Sequence, residues 1–200
     1  MKNQVRQPKQ GRSIEKKNKI IEAGYKLFST VGYYGTNTAE IAKEAGVSTG
    51  IVYGYFADKR DILLCVLENY IIKVSEPVIN KINSVSFPVD VDKLVNDILD
   101  IVIKIHIDNA RLHNTLHSLA TNDEGVNMQF ALLEKELTEN IVTRLTELNF
   151  NKENLAEKVH LAMNEVQSFA HELVFDNHDY LDYSVMRKLV VICITDLFKS

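Results

Sequence analysis

Between Thr38 and Arg60 the chain gathers hydroxyls, bare backbone and cations at a spacing that suits holding a phosphate backbone. Thr38, Ser48, Thr49, Tyr53 and Tyr55 supply hydroxyls, Gly50 supplies backbone without a side chain, and Lys59 supplies a cation. Hydroxyls and the free amides at a helix start bind phosphate oxygens, and a glycine lets the backbone approach base edges and thymine methyls. Lys59 and Arg60 fall where a helix should begin, a place where a cation opposes the helix dipole. A bound phosphate nearby would offset that cost. Phe56, by contrast, reads as a core aromatic.

Other chemistry-bearing residues form weaker patterns. His113 and His117 lie one helical turn apart, the spacing of a two-ligand metal site, with His106 and Arg111 close in sequence, but no clear third ligand follows. His171-Glu172 opens like a zinc-protease motif, yet Phe175 stands where the second histidine belongs. Ser13 and Lys16 have the spacing of a nucleophile pair but sit in a basic stretch, where capping and phosphate attraction fit better. There is no phosphate-binding glycine loop, nucleophile elbow or credible triad, so an enzyme is disfavoured and no cofactor is expected. Cys65 and Cys193 each lie in an apolar helical run and read as small hydrophobes in a reducing compartment.

The elements that must position these residues are all helices. The chain has 3 prolines and 8 glycines, six of those glycines fall in the first fifty residues, and apolar residues recur at helical spacing nearly throughout. The pattern predicts an all-α fold of about nine helices. Helix 1 starts near Ser13 and ends by Gly32, helix 2 starts near Thr38, helix 3 near Ser48, and helix 4 after Asp58, with Pro77 expected to kink or end it. Five more helices are expected over 90–108, 109–121, 125–149, 153–176 and 183–199. The domains expected are a flexible basic arm (1–12), a three-helix unit (13–57), a connecting helix (58–84) and a helical domain (85–200).

Charge divides along the same line. Residues 1–60 hold 11 Lys or Arg against 5 Asp or Glu, a net of +6, whereas residues 61–200 hold 12 against 22, a net of −10. That asymmetry suggests a basic contact module on an acidic body that does not meet phosphate. No stretch reaches the roughly 18 uncharged apolar residues of a membrane helix, and Met1–Arg12 lacks a signal-peptide core, so a cytoplasmic protein with no membrane partner is expected.

From Thr38 to Ala57 the spacing meets each demand of two helices crossing over a tight turn. Ala42 is small where the helices touch, Gly46 stands where the chain needs a positive φ, and Ile41, Ala45, Val47 and Val52 can close a small core. Thr49, Gly50, Tyr53 and Tyr55 then occupy the free face. The segment from about Ile20 to Leu67 resembles the DNA-binding domain of the Tet repressor (TetR) family. The resemblance is carried by Ala23-Gly24, Leu27-Phe28, Gly32-Tyr33, Thr38 with Glu40-Ile41-Ala42, Ala45-Gly46-Val47-Ser48, Gly50, Val52-Tyr53, Tyr55-Phe56, Asp58-Lys59 and Leu63.

That resemblance implies a helix-turn-helix in which the counterparts of Thr38, Thr49, Tyr53, Tyr55 and Lys59 hold phosphates and that of Gly50 approaches bases, with Ser48 among the expected DNA contacts. Ala39 and Gly54 are short where some members carry base-reading side chains, which shifts weight to DNA shape and to the arm residues Lys2, Arg6, Lys9 and Arg12. It also implies a small-molecule effector enclosed by helices 5 to 8, for which His106, His117, Met128, Met163, Gln167 and His171 are the candidate lining. The apolar stripes of helices 8 and 9 serve either an intrachain core or a homodimer seam, and the dimer is favoured because one helix-turn-helix has too small a footprint. The expected function is a repressor released from a palindromic double-stranded DNA operator by its effector, signalled through helix 4. The alternative is a helical small-molecule-binding or interaction protein that does not bind DNA.

Overall fold

The computed structural model describes residues 11–199. Among them every regular element is a helix, nine in all: α1 (Gly11–Thr30), α2 (Thr38–Glu44), α3 (Thr49–Tyr55), α4 (Lys59–Asn83), α5 (Val91–Asp108), α6 (Ala110–Ala120), α7 (Glu124–Glu147), α8 (Leu155–Phe175) and α9 (Tyr183–Phe198). The bounds follow the apolar periodicity closely. Two details differ. α1 is already helical at Gly11, so Arg12 belongs to that helix rather than to an arm, while Lys2, Arg6 and Lys9 lie outside the described residues. Pro77 does not end α4, which continues to Asn83. A proline removes one backbone donor, but Val78 and Ile82 beyond it bury apolar side chains and keep the final turns in place.

The chain forms two compact units, and the division departs from the four segments expected. The first unit comprises the chain to Ile71 together with Arg111–Gln129; the second comprises Ile72–Ala110 and Phe130–Ser200. α6 and the start of α7 therefore belong with the helix-turn-helix. The reason is visible in the contacts. Arg60 grips Asp123 through two hydrogen bonds of 2.6 and 2.7 Å, and Arg111 donates to the carbonyl of Thr30. The divisions fall inside α4 and α7, so each of these helices contributes to both units.

Within the first unit Ile20, Phe28, Ile41, Val52, Ile62 and Leu67 are buried. Gly24 permits α1 to lie close on α4: a Cβ at this position would come within 2.8 Å of Ile62 Cγ2. Asn37 caps α2, accepting from the amides of Ala39 and Glu40, while Glu40 accepts from the amide of Asn37. This reciprocal box fixes where α2 starts. Its end is fixed by Gly46 at φ 67°, with the amide of Gly46 bonded to Lys43 and that of Val47 to Ala42. Only a residue tolerant of the left-handed region closes a helix in this way without Cβ strain.

In the second unit α5, α8 and α9 pack together around Leu99, Val102, Phe169, Ala170 and Ile194. A second cluster joins Ile82, Ile141, Leu145, Leu155 and Val159. α7 ends in the same manner as α2, with Asn149 at φ 61° and the amide of Phe150 bonded to the carbonyl of Leu145. A short polar side chain tolerates that conformation better than a branched one, and the turn directs Phe150 inward.

Candidate functional site

α3 presents Thr49, Gly50, Tyr53 and Gly54 to solvent and buries Val52, while Phe56 just beyond it is also buried, as the sequence suggested. Ser48 caps α3 through a long 3.4 Å contact to the amide of Ile51. Tyr53, 54% exposed, shares a hydrogen bond of 2.9 Å with Thr38 at the start of α2. Thr38, Ser48, Thr49, Gly50 and Tyr53 are thus all present on or beside one short helix. A Cβ at Gly50 would meet nothing nearer than Ser48 Oγ at 4.0 Å, and one at Gly54 nothing within 4 Å. Packing does not require glycine at either position. The bare surface is free for an external partner.

Tyr55 and Lys59 are placed differently from the rest. Tyr55 is half-buried and its hydroxyl pairs with Ser13 Oγ at 2.8 Å, which fastens α3 to α1. Lys59 Nζ donates to the carbonyls of Tyr33 and Thr36, each at 2.7 Å, and lies 4.2 Å from the centre of the Tyr33 ring. Burial lowers its pKa from the ordinary lysine value. The cations opening α4 have compensation within the chain, Lys59 from carbonyls and ring and Arg60 from Asp123. Asp58 and Asp61 further offset them, accepting from the amides of Asp61 and Ala57 respectively. Lys26 and Lys19 are also engaged, with Glu44 at 2.5 Å and Glu15 at 2.9 Å. The basic footprint is smaller than the count of Lys and Arg implied.

The second unit contains a cavity of about 120 Å³ framed by α4, α5, α7, α8 and α9. Val78, Leu94, Ile141, Met163, Ile194 and Phe198 represent its walls, and Gln167 is its single polar lining residue. Of the six residues proposed from the sequence, Met163 and Gln167 line it and the other four do not. His106 is buried with its ring nitrogen Nδ1 donating to the carbonyl of Val102 at 2.8 Å, and burial lowers its pKa. His171 stands beside His106 and Phe175, with ring centres 6.4 and 4.7 Å away. His117 and Met128 belong to the first unit, where His117 lies 4.2 Å from the ring of His113, and Met128 is exposed. His113 itself is buried against Tyr70, whose hydroxyl is 2.6 Å from Nδ1. The reading missed the aliphatic walls because helical periodicity marks them as core without telling filled core from cavity.

Comparison with known proteins finds sequence likeness chiefly at the start of the chain. Residues 20–66 match the model for bacterial regulatory proteins, tetR family. The HTH-type transcriptional regulator HbdR of Aromatoleum sp. (strain CIB) is 43% identical over 76 residues, 38% of this chain and 33% of HbdR. The match therefore spans about a third of that relative's length. A TetR-family transcriptional regulator from Mesorhizobium loti superposes with a TM-score of 0.74 at 15% identity, covering 94% of this chain and 97% of that one. The fatty acid degradation regulator FadR from Bacillus halodurans gives 0.63 at 19% identity, covering 94% and 96%. At such identities the likeness is one of fold. No helix among the described residues is long and apolar enough to cross a membrane.

Proposed function

Because residues 20–66 form a TetR-family helix-turn-helix segment, we propose that the chain is a sequence-specific DNA-binding transcriptional regulator, acting as a repressor that a small-molecule effector releases from its operator. The observation that supports it most is the uncovered face of α3, where Thr49, Gly50 and Tyr53 are exposed and glycines stand at positions that packing leaves open. Thr49 and Tyr53 contact phosphates, Thr38 and Ser48 flank them, and Gly50 admits the backbone to the major groove. Tyr55 and Lys59 act by position, the first anchoring α3 to α1 and the second holding the turn between α1 and α2.

One such face reads too few base pairs for selective binding, so the chain works as a homodimer through α8 and α9 on a near-palindromic double-stranded operator. Leu161 of α8 and Val185, Leu189 and Ile192 of α9 are exposed apolar residues suited to that seam. Recognition helices about 34 to 36 Å apart match successive major grooves. The effector occupies the cavity of the second unit. A coupling of about 1 to 3 kcal/mol corresponds to a five- to 150-fold change in DNA affinity.

The test is to pass fragmented bacterial DNA over the purified full chain, sequence what is retained, and repeat across a salt titration. A shared palindromic motif with affinity falling steeply with salt supports the reading. No salt-dependent retention would leave the alternative, a helical small-molecule-binding or interaction protein.

A further inference from the structure

The walls of the cavity in the second unit restrict what can occupy it. Every lining residue except Gln167 is apolar, and no charged side chain lines it. Three cations on the surrounding helices are paired away from it. Lys81 of α4 pairs with Asp97 of α5 at 2.5 Å, Arg144 of α7 with Glu147 and the carbonyl of Val85, and Arg187 of α9 with Asp100 and Asn96. Even the thioether of Met163 has a partner, the hydroxyl of Thr138 at 3.6 Å. A carboxylate or ammonium entering this space would lose its hydration and meet no counter-charge, which is far costlier than burying hydrocarbon.

Size sets a second limit. Apolar cavities of about 150 Å³ stay dry and admit benzene, and this one measures about 120 Å³. Phe150 and Phe198 meet edge to face, ring centres 6.0 Å apart, and make a rigid part of the wall. Gln167 both lines the cavity and is exposed, so it stands at the mouth. An amide there can donate to or accept from one hydroxyl or carbonyl.

We infer that the effector is an uncharged, mainly hydrocarbon molecule that places about six non-hydrogen atoms in this cavity, carrying at most one hydroxyl or carbonyl that meets Gln167. The inference rests on reading the chain as ligand-responsive. It excludes a carboxylate, a quaternary amine or any other ionic group from the space inside this cavity.

Four monosubstituted benzenes test it with the full chain by calorimetry: toluene, benzyl alcohol, benzylammonium and benzoate. Toluene and benzyl alcohol should each saturate one site per chain, with the two ions about 100-fold weaker or more. Gln167→Leu should weaken benzyl alcohol about five- to tenfold, as for one lost hydrogen bond, and leave toluene unchanged. Ala162→Phe, which fills the space, should abolish both. Should that variant not fold, the methyl resonance of Met163 in the unaltered protein decides the matter: it should shift on toluene addition while that of Met128 does not. Benzoate or benzylammonium binding within tenfold of benzyl alcohol would overturn the inference, as would an unmoved Met163 methyl at saturating toluene. DNA retention by the same preparation separates the two ideas. Retention without neutral-ligand binding removes this inference alone, and ligand binding without retention removes the regulator reading alone.

Discussion

The hydroxyls of Thr38 and Tyr53 stand 2.9 Å apart, tying the first residue of α2 to the exposed face of α3. Both groups carry their polar atoms at the surface, so the bond orients the tyrosine without removing it from a partner's reach. Tyr53→Phe keeps the ring and deletes the hydroxyl. Stability by urea unfolding should change by less than about 1 kcal/mol, whereas affinity for DNA should fall several-fold with the salt slope unchanged, because a neutral hydroxyl releases no counterion. Equal DNA affinity for both proteins would remove Tyr53 from the interface.

Lys59→Met should affect folding as well as binding. Its ammonium satisfies two carbonyls of the turn between α1 and α2, and hydrogen bonds from a charged group contribute about 1.5 to 3 kcal/mol. Chemical denaturation should show a loss at or somewhat below that range because the side chain is partly exposed. A variant as stable as the parent would mean that water replaces the lysine fully.

Gly24→Ala should destabilise the first unit by about 1 to 3 kcal/mol, the usual cost of overpacking. The added methyl would lie 2.8 Å from Ile62 Cγ2, and Val66 Cγ2 at 3.4 Å limits where it could move. Thermal unfolding followed by circular dichroism measures this directly. Gly54→Ala, where nothing lies within 4 Å, is the control and should be neutral or stabilising.

The hydrogen bond from Arg60, aided by the amides of Val126 and Gly125, holds the carboxyl of Asp123 down to a pKa of about 2. An unfolded aspartate titrates near 3.9, so the unfolded chain binds more protons between these values. The stabilisation is therefore complete above about pH 4 and is lost as pH falls toward 2. In acid unfolding, Asp123→Asn should start less stable at neutral pH and lose less over that interval than the parent. Parallel curves would show that the pair does not couple to folding.

Leu189→Glu combined with Ile192→Glu should convert the proposed dimer to a monomer in sedimentation measurements. Both residues are more than half exposed on α9, at 55% and 52%, so the chain's own fold should tolerate the change within about 0.5 kcal/mol. DNA retention should fall with the dimer. A dimer that persists places the interface on another face.

Local signals in the sequence proved informative where the physics is local. Apolar spacing located the helices, Gly46 located the turn through its backbone freedom, and the alternation of buried Val52 with exposed Tyr53 separated core from free face. Long-range pairings left no such trace. Nothing near Arg60 announces Asp123, 63 residues away, and Lys59 reads as a free cation because its partners are backbone carbonyls. The pocket residues show the same limit. His106 and Met163 both lie on inward faces, yet only the second borders empty space, and that depends on the volumes of neighbours from five helices.

The split composition of the first unit has a consequence for synthesis. Its helix-turn-helix emerges from the ribosome early, but Arg111 and Asp123 follow only after all of α5 has been made. At about 5 to 20 residues per second, the nascent chain spends seconds with Arg60 lacking its aspartate and the end of α1 lacking its arginine. For the same reason, a hybrid regulator made by grafting only the first 84 residues onto a foreign sensor would inherit the reading head without the strut that braces it. A graft that carries Arg111–Gln129 along would keep both.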